Sequence, residues 1–300
     1  MKTESRSETR PNRVEETAPA KVNLILSVGA RRADGYHELV SLMETVSLCD
    51  KLTFEADDSV LPGIKLSILG KYRVPKDPSN LVIRAAEAFF AAAGTRFGVY
   101  VLLEKNIPTE AGLGGGSADA AATLRALNRM AGSPLSSAKL CEIASTLGAD
   151  VPFCLFGGTA ICRGIGDVIE PVSNPARRFY TVVMGSDRVS TAGAYRALDE
   201  QSVSSDVHPA RPTVEEILSL ARGGAVRLLN DFESVVFSAH PVIAERKRRL
   251  LSLGATDALM SGSGAAVFGL FSDPESASRA ASAFGDADAF VVESVRQYYS

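Results

Sequence analysis

The chain of 300 residues contains no tryptophan and three histidines, and aromatic residues make up 7% of it. It also has four cysteines, which are Cys49, Cys141, Cys154 and Cys162. They form no CxxC pair and lie near no histidine cluster, so the sequence predicts neither a zinc site nor a disulfide framework. We expect reduced thiols, as in a protein of the cytoplasm.

Long apolar runs and clusters of one charge are also missing. No uncharged apolar stretch is long enough to cross a bilayer, and residues 1–17 lack the apolar segment of a signal peptide. The net charge of −3 comes from acidic and basic residues that are interspersed, with no basic stripe and no polybasic segment. The sequence therefore predicts a cytoplasmic protein with no nucleic-acid and no membrane partner.

Helical and strand patterns alternate along the chain, which is 46% hydrophobic and 22% charged, as in ordinary globular proteins. We predict a disordered tail over 1–17, a first domain over 18–165 and a second, α+β domain over 166–300. Helices are predicted at 80–93, from Ser117 as N-cap to Gly132, and at 136–148, 214–223, 240–254 and 274–285. Strands are predicted at 20–28, 39–48, 99–104, 258–271 and 289–295, and 149–172 is predicted as a loop followed by strands.

One stretch, TEAGLGGGSADAAATL over 109–124, places four glycines in five residues directly before a run rich in alanine. Glycines let backbone N–H groups approach a ligand closely, and a helix N-terminus attracts anions. The stretch contains neither the Walker A pattern nor G-x-G-x-x-G. On these residues alone, phosphate binding and simple close packing are about equally favoured.

The string P-x-x-x-GLGGGS-A-D-A-A resembles the central motif of the superfamily of galactokinase, homoserine kinase, mevalonate kinase and phosphomevalonate kinase (GHMP kinases). APAKVNL at 18–24, RADGYHEL at 32–39 and LGADVPF at 147–153 resemble one branch of it, the kinases of a cytidine diphosphate derivative of methylerythritol in the non-mevalonate route to isoprenoids. The resemblance covers all of the chain after the tail.

This resemblance implies an α+β, two-domain GHMP kinase fold. Its N-terminal domain would be like that of ribosomal protein S5, its C-terminal domain would be a ferredoxin-like α/β sandwich, and the active site would lie in the cleft between them. It also implies ATP and Mg²⁺ as cofactors and a small-molecule substrate, cytidine diphosphate methylerythritol, whose 2-hydroxyl group is phosphorylated. The sequence does not determine the oligomeric state, for which a monomer and a weak homodimer both stay open.

Residue roles follow from the same resemblance. Asp150 would accept the proton of the substrate hydroxyl group, and Lys21 would lie near it and offset negative charge. Tyr36 and Tyr195 would stack on the cytosine, and His37 would hydrogen-bond to it. Asn23, which faces the same side of its strand as Lys21, would also bind the substrate in the active site. The residues expected to bind ATP are Pro108, Thr109, Glu110, Ala111, Gly112, Leu113, Gly114, Gly115, Gly116, Ser117 and Ala118, with Asn80 and Lys105 at the adenosine.

Glu110 departs from the family pattern, because many relatives have a small residue at the approach to the glycines. Its side chain would either turn to solvent or help to hold Mg²⁺. Two other functions stay open. The chain could be another small-molecule kinase of the superfamily, of the homoserine or mevalonate type, or a member that binds ligands without catalysis. The presence of both Lys21 and Asp150 argues against the second.

Overall fold

The computed structural model describes residues 11–57, 59–60, 62–204, 212–224, 228–285 and 288–296. Contacts divide the chain into two compact units, each assembled from separate stretches of sequence. Unit 1 contains residues up to 18, 50–106 and 116–155, and unit 2 contains 19–49, 107–115 and 156–300. Both units mix helices and strands, so the predicted two-part α+β class is confirmed. The domain boundary after residue 165 stays a prediction.

The elements are named in chain order. The strands are β1 Arg13–Arg31, β2 His37–Ala56, β3 Gly63–Gly70, β4 Gly98–Lys105, β5 Thr159–Arg163, β6 Val168–Pro171, β7 Phe179–Met184, β8 Leu229–Asn230, β9 Asp257–Met260, β10 Val267–Phe271 and β11 Asp288–Glu293. The helices are α1 Leu81–Ala93, α2 Gly115–Met130, α3 Ser137–Leu147, α4 Val151–Phe156, α5 Thr191–Ser204, α6 Val214–Ala221, α7 Glu233–Ala239, α8 Pro241–Ser252 and α9 Pro274–Ser282. No helix in the described part of the chain is long and apolar enough to cross a membrane.

In unit 1, β4 lies between β3 and the second half of β2. β3 and β4 run parallel over their whole lengths, so that Gly70 lies opposite Lys105. β2 pairs with β4 in the antiparallel sense, from Lys51 opposite Glu104 to Ala56 opposite Val99. Every second residue of β4 is buried, which is the burial pattern of a strand with one covered face. The end of β4 leads directly to the glycine-rich stretch.

The predicted helix at 80–93 is confirmed, except that Asn80 is its N-cap and not its first helical residue. The Asn80 side chain accepts a hydrogen bond from the N–H group of Val82, as an N-cap does. Gly94 ends α1 in the left-handed conformation, at φ +63°, where glycine carries no Cβ penalty. The glycine after the helix is a local signal for its end, whereas the cap at Asn80 was not predicted.

The predicted start of α2, with Ser117 as N-cap and Ala118 as first helical residue, is wrong by three residues, since the helix begins at Gly115. Gly114 immediately before it has φ +69°, which is the reversal that brings the chain into the helix. Ser117 therefore lies in the first turn and is not the N-cap. From Ala118 to Asn128 the helix is buried on all sides, because its many alanines let neighbours approach closely.

The predicted tail over 1–17 is also shorter than expected. Residues 1–10 lie outside the described residues, but β1 begins at Arg13. Glu16 in this strand is buried and pairs with Arg125 and Arg129 of α2. The charged composition suggested a solvated tail, whereas the ion pairs on α2 make these charges compatible with a strand.

Three helices do not appear in the sequence prediction. α4 was predicted as loop, but Pro152 fits a first turn and the segment is almost entirely buried. α5 and α7 were not predicted either. α4 and α7 are short, with six and seven residues, and α5 has a mostly polar sequence. A periodic apolar pattern needs a longer window than the short helices offer.

Unit 2 contains a four-stranded antiparallel sheet in the order β11-β7-β10-β9. Val267 of β10 lies opposite Val183 of β7 and Met260 of β9. In the same unit β1 runs parallel to β8, with Ile25 opposite Leu229, and β5 pairs with the first half of β2. Helices α8 and α9 pack on the four-stranded sheet.

A buried polar network lies in the core of unit 2. Arg178 donates to the Glu44 carboxylate at 2.8 Å, and Tyr180 and Thr159 donate to the same group. Burial raises the pKa of Glu44 above its usual range, and the Arg178 cation opposes this rise. Burial also raises the pKa of Tyr180 well above its usual range. Because Glu44 is fully buried, its charge depends on Arg178.

Replacing Arg178 by methionine should lower the free energy of unfolding by about 3–5 kcal/mol, because it leaves the Glu44 carboxylate buried without its cation. The neighbouring Arg177 gives a matched control, since its ion pair with Glu293 is exposed. Arg177→Met should change stability by less than about 1 kcal/mol. Urea unfolding of both variants measures the difference, and equal effects would contradict a special role of the buried pair.

Candidate functional site

The glycine-rich stretch, residues 108–118 and here called the glycine loop, is anchored through three consecutive carbonyl groups. The carbonyl oxygen of Ala111 accepts from the N–H group of Ala266 at 3.1 Å. The oxygen of Gly112 accepts from the Ser261 hydroxyl group at 2.9 Å, and that of Leu113 accepts from the N–H group of Lys21 at 2.9 Å. These three oxygens are therefore satisfied by the protein.

The N–H groups of the same loop behave in the opposite way. Within the part of the chain that the structure describes, the N–H groups of residues 112–117 donate no hydrogen bond to protein. The last three of them belong to the first turn of α2, where the helix dipole places partial positive charge. Such a row of donors at a helix start suits an anionic ligand.

Glycine is required at two positions of the loop. Gly112 has φ +74°, and a Cβ atom there would lie 2.0 Å from the carbonyl oxygen of Ser261. Gly114 has φ +69°, and a Cβ atom there would lie 2.8 Å from Cγ of Lys21. Both the left-handed conformation and the close approach exclude other residues. The glycines therefore serve close packing, and that packing leaves the N–H groups available.

Lys21 and Asn23 lie side by side on β1 and are buried, as their spacing predicts. Nζ of Lys21 donates to Oδ1 of Asn23 at 2.7 Å. Nδ2 of Asn23 donates to the hydroxyl group of Ser41 at 2.8 Å, and that hydroxyl group donates to the carbonyl oxygen of Ile25. This chain of hydrogen bonds fixes the amide orientation of Asn23, which directs its oxygen at the lysine.

His37 and Tyr195 come together although they are far apart in sequence. Their ring centroids are 5.0 Å apart, and Tyr195 makes an edge contact with Phe232 on the buried side. Nε2 of His37 lies 2.9 Å from Oδ1 of Asp199, without the alignment of a hydrogen bond. Tyr36 is 60% exposed. The structure thus pairs His37 with Tyr195 and leaves the Tyr36 ring in contact with solvent.

The two residues predicted at the adenosine have protein partners in unit 1. Asn80 caps α1, and its amide also donates to the carbonyl oxygen of Pro75 at 2.7 Å. Lys105 is buried and bound by the carboxylates of Asp50 and Asp119. A contact of either residue with adenosine stays a prediction.

Asp150 immediately precedes α4. Its carbonyl oxygen accepts from the N–H group of Cys154 at 3.1 Å, which makes it the first residue of that helical turn. The residue is half-buried. Its carboxylate therefore lies on a short, well-packed element and not on a long loop.

Glu110, the residue that departs from the family pattern, turns to solvent. Its side chain is 72% exposed, and Oε2 lies 3.6 Å from Nε of Arg188. Nη1 of Arg188 donates to the carbonyl oxygen of Asp187 at 2.9 Å. The first of the two expected orientations is the one observed, and a cation partly offsets the charge beside the loop.

Comparison with known proteins identifies the family. The family models for the GHMP kinases N terminal domain and the GHMP kinases C terminal match residues 80–158 and 211–288. The 4-diphosphocytidyl-2-C-methyl-D-erythritol kinase of Geobacter metallireducens is 40% identical over 279 residues, covering 93% of this chain and 96% of that protein. The enzyme of the same name from Syntrophotalea carbinolica is 43% identical over 267 residues, 88% of this chain and 91% of its own.

A solved structure agrees with these relatives. The crystal structure of a 4-(cytidine 5'-diphospho)-2C-methyl-D-erythritol kinase superposes with a TM-score of 0.80 at 41% identity, covering 94% of this chain and 99% of that one. The chain belongs to the GHMP kinase family. The predicted fold and family are confirmed, and this GHMP kinase is a phosphotransferase that uses ATP and acts on a small molecule.

Sequence reasoning missed residues that support the site of this GHMP kinase. Ser261 and Gly262 pack on Gly112, and Asp199 lies against His37. The string LMSGSGAAVF at 259–268 also resembles the pattern of these kinases, so Ser261 and Gly262 had a signal in the sequence, although not one that placed them at the loop. Nothing near Asp199 in sequence indicated its partner.

The described residues of this GHMP kinase contain no group of three or more His, Cys, Asp or Glu side chains placed to hold a metal ion.

Replacing Gly112 by alanine should displace the loop, because the new Cβ atom would overlap the carbonyl group of Ser261. We expect ATP affinity to fall at least about tenfold, a loss of about 1.4 kcal/mol. Gly94→Ala is the matched control, since Gly94 has a similar positive φ but nothing within 4 Å of a Cβ atom. Calorimetry of ATP binding compares the two, and equal ATP affinity in both variants would contradict the requirement.

Proposed function

We propose that the chain transfers the γ-phosphoryl group of ATP to the 2-hydroxyl group of 4-diphosphocytidyl-2-C-methyl-D-erythritol, in the non-mevalonate route to isoprenoids. The observation that carries this proposal is the row of N–H groups over 112–117 that donate to no described protein group, in a chain that matches kinases of that compound along most of its length. Phosphoryl transfer requires mainly positioning and charge neutralisation, and such a row of donors provides both for phosphate oxygens.

In this proposal Asp150 is the base that accepts the hydroxyl proton, and Lys21 supplies positive charge to the transferring group. Support for Lys21 comes from its burial and its bond to Asn23, which hold the ammonium group in one position. A fixed, desolvated charge stabilises a developing negative charge more strongly than a solvated one. The match of LGADVPF to the family motif supports Asp150.

The cytosine would be held by Tyr36, His37 and Tyr195. The exposed ring of Tyr36 has a face available for stacking, and Nε2 of His37 is not engaged in an aligned hydrogen bond with protein. Asp199 beside that nitrogen would restrict the orientation of the imidazole ring. Discrimination between cytosine and uracil would then depend on the hydrogen bonds of His37 with the polar edge of the base.

Mg²⁺ would accompany ATP. In phosphoryl-transfer enzymes this ion is commonly held by substrate phosphates with one or two carboxylates, and not by a cage of protein ligands. The absence of such a cage among the described residues fits this mode of binding. When bound, the ion neutralises charge on the phosphates.

The substrate is tested by measuring ADP release with ATP and Mg²⁺ when the cytidine diphosphate compound, homoserine and mevalonate are offered in parallel. We expect turnover with the first compound alone. Turnover with homoserine or mevalonate instead would identify another kinase of the superfamily. Binding of the cytidine compound without ADP release would indicate a ligand-binding protein that has lost catalysis.

Asp150→Asn keeps the shape of the side chain but removes its capacity to accept a proton. We expect kcat to fall by about 10²–10⁴-fold, because that is the usual contribution of a positioned base. Both substrates should still bind with affinities near those of the unmodified protein, measured by calorimetry. A variant that keeps near-normal kcat would remove Asp150 from this role.

His37→Ala should reduce discrimination between the cytidine and uridine forms of the substrate, because the base edge is read by hydrogen bonds. Tyr36→Ala is the control within the same pocket. It should weaken both forms about equally, by about 1–3 kcal/mol for a lost stacking contact. Values of kcat/KM for the two forms measure this. Should His37→Ala keep the full cytidine preference, base recognition lies elsewhere.

A further inference from the structure

A buried ion cluster joins the two ends of the glycine loop. Lys105 is the last residue of β4, just before the loop, and Asp119 lies in α2, just after it. Nζ of Lys105 donates to Oδ2 of Asp119 at 2.7 Å across 14 positions of sequence. It also contacts the Asp50 carboxylate, whose other oxygen accepts from the N–H group of Asn106 at 2.5 Å.

The cluster is shielded from water. Asp50, Lys105 and Asp119 are 0%, 1% and 3% exposed. Burial acts to lower the pKa of Lys105, but the two carboxylates outweigh it and the pKa is raised. Burial raises the pKa of Asp119 well above its usual range, against the opposing effect of Lys105. Hydrogen bonds with charged partners in such surroundings are short and directional, so they hold a geometry firmly.

A link between the ends of a segment limits the conformations that the segment can adopt. The residues between Lys105 and Asp119 include all of the N–H groups at 112–117. A loop that is already ordered loses little conformational entropy when it binds its ligand. The cluster lies where it can restrict the loop from both of its ends.

We propose that Asp50, Lys105 and Asp119 form a clasp that keeps the glycine loop in its phosphate-binding shape before ATP arrives. The importance of that shape rests on the function proposed above, whereas the clasp itself is a property of the nucleotide-free protein. Asp119 and Asp50 are positioning residues in this proposal. Lys105 would act through its bonds to them, which differs from the contact with adenosine predicted from the sequence.

The main test is Asp119→Ala, which opens the link across the loop and leaves Lys105 paired with Asp50. In nucleotide-free protein, hydrogen exchange at the amides of Lys21 and Ala266, which donate to the loop carbonyl groups of Leu113 and Ala111, should become at least about tenfold faster, because the loop opens more readily. Exchange at these two amides is called loop exchange below. The KM for ATP should rise at least about tenfold while kcat at saturating ATP changes by less than about twofold, the pattern of lost ground-state binding. Asp119→Ser replaces alanine if that variant does not fold.

Arg125→Met is the matched control on the same helix. Arg125 is buried and pairs with Glu16 at 3.2 Å, so its loss breaks a comparable ion pair away from the loop ends. It should reduce stability in urea but leave loop exchange and the KM for ATP near normal. Asp119→Asn keeps an acceptor oxygen for Lys105, so it should restore most of the protection of the loop.

Unchanged loop exchange in Asp119→Ala would overturn the proposal, as would an equal acceleration of loop exchange in Arg125→Met. Unchanged loop exchange with a raised KM for ATP would instead place the cluster in direct contact with the nucleotide and overturn the clasp. Faster loop exchange with unchanged ATP affinity would support the clasp and contradict the phosphate-binding role of the loop.

Discussion

The arrangement of the glycine loop depends on three backbone carbonyl groups that are held by other parts of unit 2. Bonds from Ala266, Ser261 and Lys21 fix the carbonyl oxygens of Ala111, Gly112 and Leu113. Because these oxygens already accept hydrogen bonds from the protein, the N–H groups of residues 112–117 are the polar backbone groups of the loop that are available to a ligand. Glycine at 112 and 114 is what allows the backbone to come this close to Ser261 and Lys21.

The buried charges form local clusters that each contain both signs. Arg178 with Glu44 lies in unit 2, and Lys105 with Asp50 and Asp119 lies in unit 1. A buried charge without a partner destabilises a fold strongly, so these clusters specify one arrangement of the elements that carry them. The exposed pair of Glu110 and Arg188 has little such influence, because solvent screens it. Its effect is confined to the field beside the loop.

The parts of the fold that could be predicted from sequence are those set by neighbours along the chain. The ends of α1 at Gly94 and of α3 at Gly148 follow from local chemistry, because a glycine commonly ends a helix. The start of α2 was misplaced because a serine after glycines looks like an N-cap, whereas the left-handed Gly114 already provides the turn. Arg13–Thr17 was misread because charge alone does not reveal the ion pairs that Glu16 makes.

The parts of the site that could not be predicted are set by contacts across long stretches of chain. Ser261 reaches Gly112 across 149 positions, and the partner of Lys105 in β2, Asp50, is 55 positions away. Local patterns carry no information about such pairs. The family resemblance named Lys21, His37 and Tyr195, and strand spacing placed Asn23 on the same side as Lys21. Asp199 as the neighbour of His37 and Phe232 as that of Tyr195 were seen only in the structure.

The central claim is that the N–H groups of residues 112–117 bind the phosphates of ATP. It is tested most directly by following the backbone amide signals of ¹⁵N-labelled protein by NMR during titration with a non-hydrolysable ATP analogue. The account predicts large shifts of the amides over 112–117 that saturate together with nucleotide binding, since hydrogen bonding to an anion changes the environment of each donor. Saturated binding that leaves these amide signals unmoved would contradict it.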